Sequence, residues 1–351
     1  MRLLLLPRWA RRLLVIPALV LGVVTLLGLL PLWLIVAAFA SRFVPGRWRV
    51  LRLVWFLFTY LVLEVVAIAA LTALWFGAAF GTRLDRPAWQ ARHVALMGWF
   101  LRRVMGTARR TFGLQLVEDV GPDAVGRPHS DRRPVLVFSR HAGPGDSIIL
   151  VDGVLNSAGR APRIVLKDLL QLDPALDLLL NRIPTRFVPT GGRSRDGIVD
   201  AIAELAAGAT ASDALVLFPE GGNFTHERRA RAIQQLDDIG RPDLAERARE
   251  LTHLLPPKPA GALAAIEASP DADVVFVGHA GLEALSTVRD IWRELPMDRR
   301  IVLRRWHVRA EDIPPPEERE TWLYEQWELI DTWLEHQADA SDSRRSPGPL
   351  P

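Results

Sequence analysis

Two long uncharged stretches constrain the first eighty residues more than any other feature. Residues 13–40 contain no charge, and residues 53–80 contain only Glu64. About 20 apolar residues in a helix cover the hydrocarbon core of a bilayer. The two stretches therefore predict an N-terminal membrane hairpin over residues 1–82. Arg2, Arg8, Arg11 and Arg12 precede the first stretch, and Ala38-Phe39-Ala40 has the look of a signal cleavage site. An apolar run of this length is about twice that of a signal peptide, however, so the reading keeps an anchor. The connection carries Arg42, Arg47, Arg49 and Arg52, against the four N-terminal arginines plus Arg83, Arg86 and Arg92. That balance predicts a cell-membrane protein with its catalytic part on the cytoplasmic face. A hairpin lying in one leaflet, kinked at Pro17 and Pro31, accounts for the same arginines. Glu64 has no basic residue in its span and reads as a protonated or helix-bonded side chain rather than a site.

Residues 83–112 read as an amphipathic helix. Trp89, Val94, Met97, Phe100, Leu101 and Val104 recur at helical spacing, with Arg92, Arg102, Arg103, Arg109 and Arg110 on the polar side or at the end. Beside a membrane segment this predicts an interfacial helix on anionic headgroups. Charge supports the same picture. Residues 1–110 hold fifteen arginines and two acids, net +13, and the remainder is net −10. A basic region that coincides with the apolar stretches points to membrane lipids as partners, not nucleic acid. The chain has no cysteine, which excludes disulfide frameworks, thiol nucleophiles and cysteine-ligated metals. Of 43 basic residues only Lys167 and Lys258 are lysine.

From residue 113 to 337 short apolar runs alternate with helical patterns. The runs are 134–139, 163–166, 185–188, 214–218, 274–277 and 301–306, with an edge strand at 114–117. Helical patterns cover 147–158, 167–181, 197–207, 226–235, 241–254 and 261–268. A last helix, 317–336, follows Pro314-Pro315-Pro316. This predicts an α/β catalytic domain, a sheet flanked by helices. Residues 338–351 are rich in Ser, Asp, Arg, Pro and Gly and read as a disordered tail.

Two segments carry chemistry. In Ser139-Arg140-His141-Ala142-Gly143-Pro144-Gly145-Asp146-Ser147 a strand ends, a Gly/Pro turn follows and a helix begins. Such a turn can set His141 beside Asp146. A carboxylate on one imidazole nitrogen fixes the tautomer and leaves the other nitrogen as a general base. The same H-x4-D spacing in His307…Asp312 lacks a glycine turn and a helix start and reads as structural. In Leu217-Phe218-Pro219-Glu220-Gly221-Gly222-Asn223-Phe224-Thr225 a second strand enters a glycine turn, whose backbone N–H groups suit an anion or oxyanion. A serine hydrolase would need a G-x-S-x-G elbow, a P-loop enzyme G-x4-G-K, and a zinc hydrolase a second His after His226-Glu227; none is present.

Together the two segments resemble the PlsC-type glycerolipid and lysophospholipid acyltransferases, whose signature is N-H-x4-D followed by F-P-E-G-T-R-S. Lys167-Asp168-Leu169 and Pro174 resemble the family's spacing between the motifs. Residues 253–261 resemble its L-P-R-T-K-G-F segment, and Trp322-Leu323 and Trp327 resemble its C-terminal helix. The resemblance implies an acyltransferase-type mixed sheet. It also implies transfer of a fatty acyl group from acyl-CoA or acyl carrier protein to a lysophospholipid, with 1-acylglycerol-3-phosphate foremost. His141 is then the base and Asp146 its orienter. Glu220, Gly221, Gly222 and Asn223 bind substrate, with Glu220 on a substrate hydroxyl or bracing the turn. Lys167, Arg193 and Arg195 hold phosphate. No metal and no cofactor beyond the acyl thioester is implied.

The chain departs from the family pattern. Arg140 stands in place of Asn, Gly222-Asn223 in place of Thr-Arg, and Thr190 where an Arg is expected. Arg193, Arg195, Arg228 or Arg229 would have to replace the missing arginines. These departures leave two alternatives: another lipid alcohol or glycolipid as acceptor, or a membrane scaffold that has lost catalysis.

Overall fold

The computed structural model describes residues 6–119, 133–143, 145–188, 195–283, 292–295, 297 and 299–345. By internal contacts the chain forms two units. The first is Met1–Gln115, Val151–Ile198 and Arg293–Arg299. The second is Leu116–Leu150, Val199–Trp292 and Arg300–Pro351. Residues 151–198, read from sequence as part of one domain beginning at 113, thus cluster with the N-terminal helices.

The first apolar stretch is not one helix. It divides into α1 (Arg8–Gly28) and α2 (Leu30–Ser41). Pro31 is the cause. It has no N–H to donate to a carbonyl of α1, yet fits the first turn of a new helix. Pro17 sits inside α1 without ending it. The second stretch forms α3 (Arg49–Gly77). Helices α1 and α3 are long and apolar enough to cross a membrane. At 12 residues, α2 is too short.

Helix α4 (Pro87–Phe112) carries the amphipathic pattern read over residues 83–112. Its apolar face, including Met97, Phe100, Val104 and Phe112, is buried. That face lies along α3. Phe112 packs on Phe56 and Phe100 on Tyr60, and Arg52 donates to the Thr111 carbonyl at 2.6 Å. Helix α4 hides its apolar stripe against protein and leaves its arginines outside.

Helix α6 (Pro174–Leu180) also packs on these helices. Asp177 is buried and accepts Arg11 Nη2 at 2.8 Å and Arg12 Nε at 2.6 Å. Glu64 Oε1 accepts the Ala175 N–H at 3.4 Å, and Tyr60 donates to Asp173 at 2.5 Å. Glu64 is therefore hydrogen-bonded to backbone within the protein. The helix expected over 167–181 is split because Asp173 caps the Leu176 N–H and Pro174 starts a new helix, leaving a short 3-10 turn before it. In the same unit β3 (Ala161–Lys167) pairs in parallel with β4 (Thr185–Val188).

The second unit carries β1 (Gln115–Glu118), β2 (Val135–Ser139), β5 (Asp213–Leu217), β6 (Asp273–Ala280) and β7 (Arg300–Val308), in the order β1-β7-β6-β2-β5. Strand β2 is parallel to both neighbours, and β6 is antiparallel to β7. The architecture is mixed α/β, as expected. Strands β2 and β5 are buried throughout, which is why they read as continuous apolar runs rather than alternating ones. Helices α5 (Asp146–Asp152), α7 (Arg195–Ala207), α8 (His226–Asp238), α9 (Pro242–Glu250) and α10 (Pro259–Ala268) connect the strands.

Helix α11 (Arg319–Arg345) closes one side of this sheet. Phe276 of β6 meets Trp322 and Trp327, and Trp306 of β7 meets Trp333. Gly278 makes room for this packing, since a Cβ there would lie 3.0 Å from the Trp333 ring. The helix continues to Arg345, so the tail expected to be disordered from residue 338 is helical over its first eight residues.

Candidate active site

Strands β2, β5 and β6 are parallel, so their carboxyl ends lie on one edge of the sheet. This is the edge where open α/β sheets bind ligands. Ser139 ends β2, and His141 follows one residue into the turn. Asp146 opens α5. His141 Nδ1 lies 2.8 Å from Asp146 Oδ2. The same oxygen accepts the Ala142 N–H at 2.7 Å and the Gly143 N–H at 3.0 Å. Ser147 donates to the other oxygen at 3.2 Å. Asp146 is 2% exposed. Burial alone would raise its pKa. The hydrogen bond from His141, the charges of His141 and His279 and the Gly143 N–H outweigh that and hold it below the usual carboxylate range.

With Nδ1 on a carboxylate, the tautomer of His141 is set and Nε2 is the basic nitrogen. Among the described residues nothing bonds Nε2. The side chain is 18% exposed, and its ring lies on Phe218, with centroids 4.6 Å apart. The ring is thus fixed on one face and at one nitrogen, with the other nitrogen presented outward.

Glu220 supports this histidine from below. It is 2% exposed. Oε1 accepts the His141 N–H at 2.8 Å, and Oε2 accepts the Leu255 N–H at 3.2 Å. Both oxygens are occupied by backbone, so the residue ties the His141 turn to the 252–258 segment. Burial pushes its pKa up to about 8, against the pull of the Arg140 charge and the two N–H groups. The 252–258 segment is itself pinned to α11, where Asp331 accepts the N–H groups of Thr252 and His253, both at 2.8 Å. Phe224 N–H donates to the His141 carbonyl at 2.9 Å, which closes the Gly221–Asn223 turn against the histidine.

Arg140 does not face the site. It is 1% exposed, and Nη1 donates to the His279 carbonyl at 2.7 Å and to Glu283 at 2.6 Å. It joins the ends of β2 and β6. His279, at the end of β6, is a residue that no sequence spacing signals. Its Nε2 is 3.3 Å from the Arg140 carbonyl and 3.7 Å from Asp146 Oδ2. Burial, with the Arg140 charge, lowers its pKa to about 4, so it stands neutral behind the His141–Asp146 pair.

The remaining expected residues divide as follows. Glu220, Gly221, Gly222 and Asn223 gather around His141 in the second unit. Lys167 ends β3, exposed, in the first unit. Arg195 is the first residue of α7. Arg193 and Thr190 lie outside the described residues. His307 bonds Asp273 at 2.9 Å, not Asp312. Among the described residues no group of three or more His, Asp or Glu could hold a metal ion.

No protein-family model matches the chain, and no curated protein matches it. Among solved structures it is similar to PlsC from Thermotoga maritima, a 1-acyl-sn-glycerophosphate (LPA) acyltransferase. The alignment covers 82% of this chain and 98% of that one, at 13% identity and a TM-score of 0.48. A likeness of that size assigns no residue a role.

Proposed function

We propose that the protein is a membrane-associated acyltransferase. It moves a fatty acyl group from an acyl thioester (acyl-CoA or acyl carrier protein) to the free hydroxyl of a lysophospholipid, with 1-acylglycerol-3-phosphate the first candidate. The observation that carries this reading is the 2.8 Å His141–Asp146 bond at the carboxyl end of β2, with Nε2 presented outward. A general base with an orienting carboxylate, and with no hydroxyl bonded to its outer nitrogen among the described residues, suits direct attack by a substrate hydroxyl.

His141 Nε2 takes the proton of the acceptor hydroxyl as its oxygen attacks the thioester carbonyl. Asp146, ionised, stabilises the imidazolium. Collapse of the tetrahedral intermediate forms the ester and expels the thiolate, which takes the proton back from His141. The neutral catalyst is regenerated, and no acyl-enzyme forms.

The lipid character of the substrate rests on the N-terminal helices. Leu13, Leu21, Val24, Leu32, Ile35 and Phe39 are all exposed along α1 and α2, more apolar surface than a soluble protein ordinarily leaves open. Helix α3 is flanked by α4 and meets α6 at its midpoint through Glu64. That arrangement favours embedding from one face of the membrane over free spanning of the bilayer. Membrane lipids, the acyl thioester and the lysophospholipid are the partners of this reading, and the cytoplasmic face of the cell membrane is its location.

The test is acyl transfer by the purified protein in detergent, with labelled acyl-CoA and lysophosphatidate, beside His141→Ala. Transfer lost in the variant supports the reading. Silence with both donors and a panel of lysolipids overturns it.

A further inference from the structure

A second imidazole lies behind the His141–Asp146 pair, and the alternation of β6 puts it there. A Cβ on Gly278 would meet the rings of Trp333 and Trp306, so the next residue, His279, points to the opposite face of the sheet. It is buried. Its Nε2 lies 3.3 Å from the Arg140 carbonyl. A carbonyl only accepts, so Nε2 carries the hydrogen. The same nitrogen stands 3.7 Å from Asp146 Oδ2. That oxygen already accepts from His141 Nδ1 and from the Ala142 and Gly143 N–H groups. Nδ1 of His279 is the one place left for a second proton. It is buried and has no partner among the described residues, so a cationic His279 would hold a donor without an acceptor. The charged groups facing His279 are Arg140 beyond β2, Asp146 on α5 and Glu283 beyond β6. The Arg140 guanidinium bonds both the His279 carbonyl and Glu283, which sets the Glu283 charge against a cation.

We infer that His279 is a positioning residue for the His141–Asp146 pair: its neutral Nε2–H faces Asp146 Oδ2 and draws off part of the carboxylate charge that holds a proton on His141. Negative charge on Oδ2 favours the imidazolium, and each N–H dipole aimed at that oxygen spreads the charge. The proton is then held less firmly and returns more readily. A cationic His279 would instead compete with His141 for Oδ2, which the buried, unpartnered Nδ1 opposes. The other ionisable groups beside the pair are Glu220, under the His141 N–H, and Arg140, its neighbour in the chain. Glu220 bonds the His141 and Leu255 N–H groups and Arg140 the His279 carbonyl. These backbone partners remain when the side chain at 279 is changed. The return of the proton to a leaving thiolate rests on the acyltransferase reading; the hold of the pair on its proton does not.

The test uses the full chain in detergent and two pH profiles. One is carbethoxylation of His141 by diethyl pyrocarbonate, followed by peptide mass spectrometry, which reads the neutral imidazole without turnover. The other is kcat/KM for acyl transfer. His279→Asn and His279→Gln carry the same amide, but only the longer Gln brings an N–H to the place of Nε2. His279→Asn and His279→Met are expected to move both profiles to higher pH, lowering the rate at a fixed pH on the acid side by about three- to tenfold. His279→Gln is expected to restore the parent profile. A side chain that merely fills space would change the melting temperature and leave the profiles in place. Unmoved profiles in His279→Asn and His279→Met, or a His279→Gln profile displaced as far as theirs, overturn the inference. If His279→Met does not fold, the Asn and Gln variants decide between the same two results. A displaced carbethoxylation profile in a protein showing no acyl transfer keeps the positioning role and discards the acyltransferase reading.

Discussion

Among the described residues, two histidine–aspartate hydrogen bonds of nearly equal length lie at opposite edges of the sheet in the second unit. His141–Asp146 measures 2.8 Å at the carboxyl end of β2, and His307–Asp273 measures 2.9 Å at the amino end of β6. The difference lies in which nitrogen is used. Asp146 takes Nδ1 of His141, leaving the outer nitrogen, Nε2, presented outward. Asp273 takes Nε2 of His307, leaving the nitrogen nearest the ring's own backbone. The surroundings differ too. Asp146 is fixed by two turn N–H groups, and His141 is gripped by Glu220 and Phe218. Asp273 instead accepts the Ala310 N–H at 3.0 Å and lies 3.7 Å from Arg133, a tie between loops. A histidine and an aspartate at bonding distance are not by themselves a site. A site needs the outer nitrogen free, the carboxylate anchored independently, and a place for substrate beside it.

Four experiments bear on this contrast. The largest effect is expected from His141→Ala, which should lower acyl transfer by about 10²–10⁴, while His307→Ala leaves kcat within a factor of two. Equal losses would dissolve the distinction. Next, Asp146→Asn should lower kcat by about 10² or more with the lysophosphatidate KM little changed, since it removes the charge that stabilises the imidazolium. Asp273→Asn should change only the melting temperature.

The third effect is on acid stability. His279 has a folded pKa of about 4, against an unfolded value near 6.5. The unfolded chain therefore binds the extra proton first. Stability is full above that unfolded value and falls as pH drops toward 4, by on the order of 3 kcal/mol. Melting temperatures of the parent and His279→Gln across this range should converge at acid pH, and parallel curves would contradict it. Asp146 is depressed in the folded state, so its contribution is present above the unfolded carboxylate pKa and lost only as pH falls through its lower folded value. The smallest effect is His307→Ala measured by chemical denaturation, a loss of about 1 kcal/mol for one partly exposed hydrogen bond.

The sequence was informative where chemistry is local. The H-x4-D turn contains its own geometry: four intervening residues, two of them glycine, and a helix start bring His141 onto Asp146. The buried strands β2 and β5 announce themselves as apolar runs, and β1 was expected one residue from where it lies. The sequence was ambiguous where a pattern has two possible partners. The stripe on α4 suits a bilayer and a neighbouring helix equally, and the fold lays it along α3. The uncharged first stretch reads as one helix until Pro31 is given a backbone. The Glu220 side chain could face substrate or protein, and the N–H groups of His141 and Leu255, 114 residues apart, turned it inward.

Sequence by itself thus determined the class of fold, the pairing of His141 with Asp146, and the apolar character of the N-terminal helices. All of these depend on composition, period and short spacing. The tertiary structure alone decided that His279 stands behind Asp146 and that Arg140 braces β2 to β6 rather than meeting substrate. Each of those joins residues from separate segments of the chain. The physical reason is that burial and charge act through distance in space, and the folded sheet sets which distant residues share it.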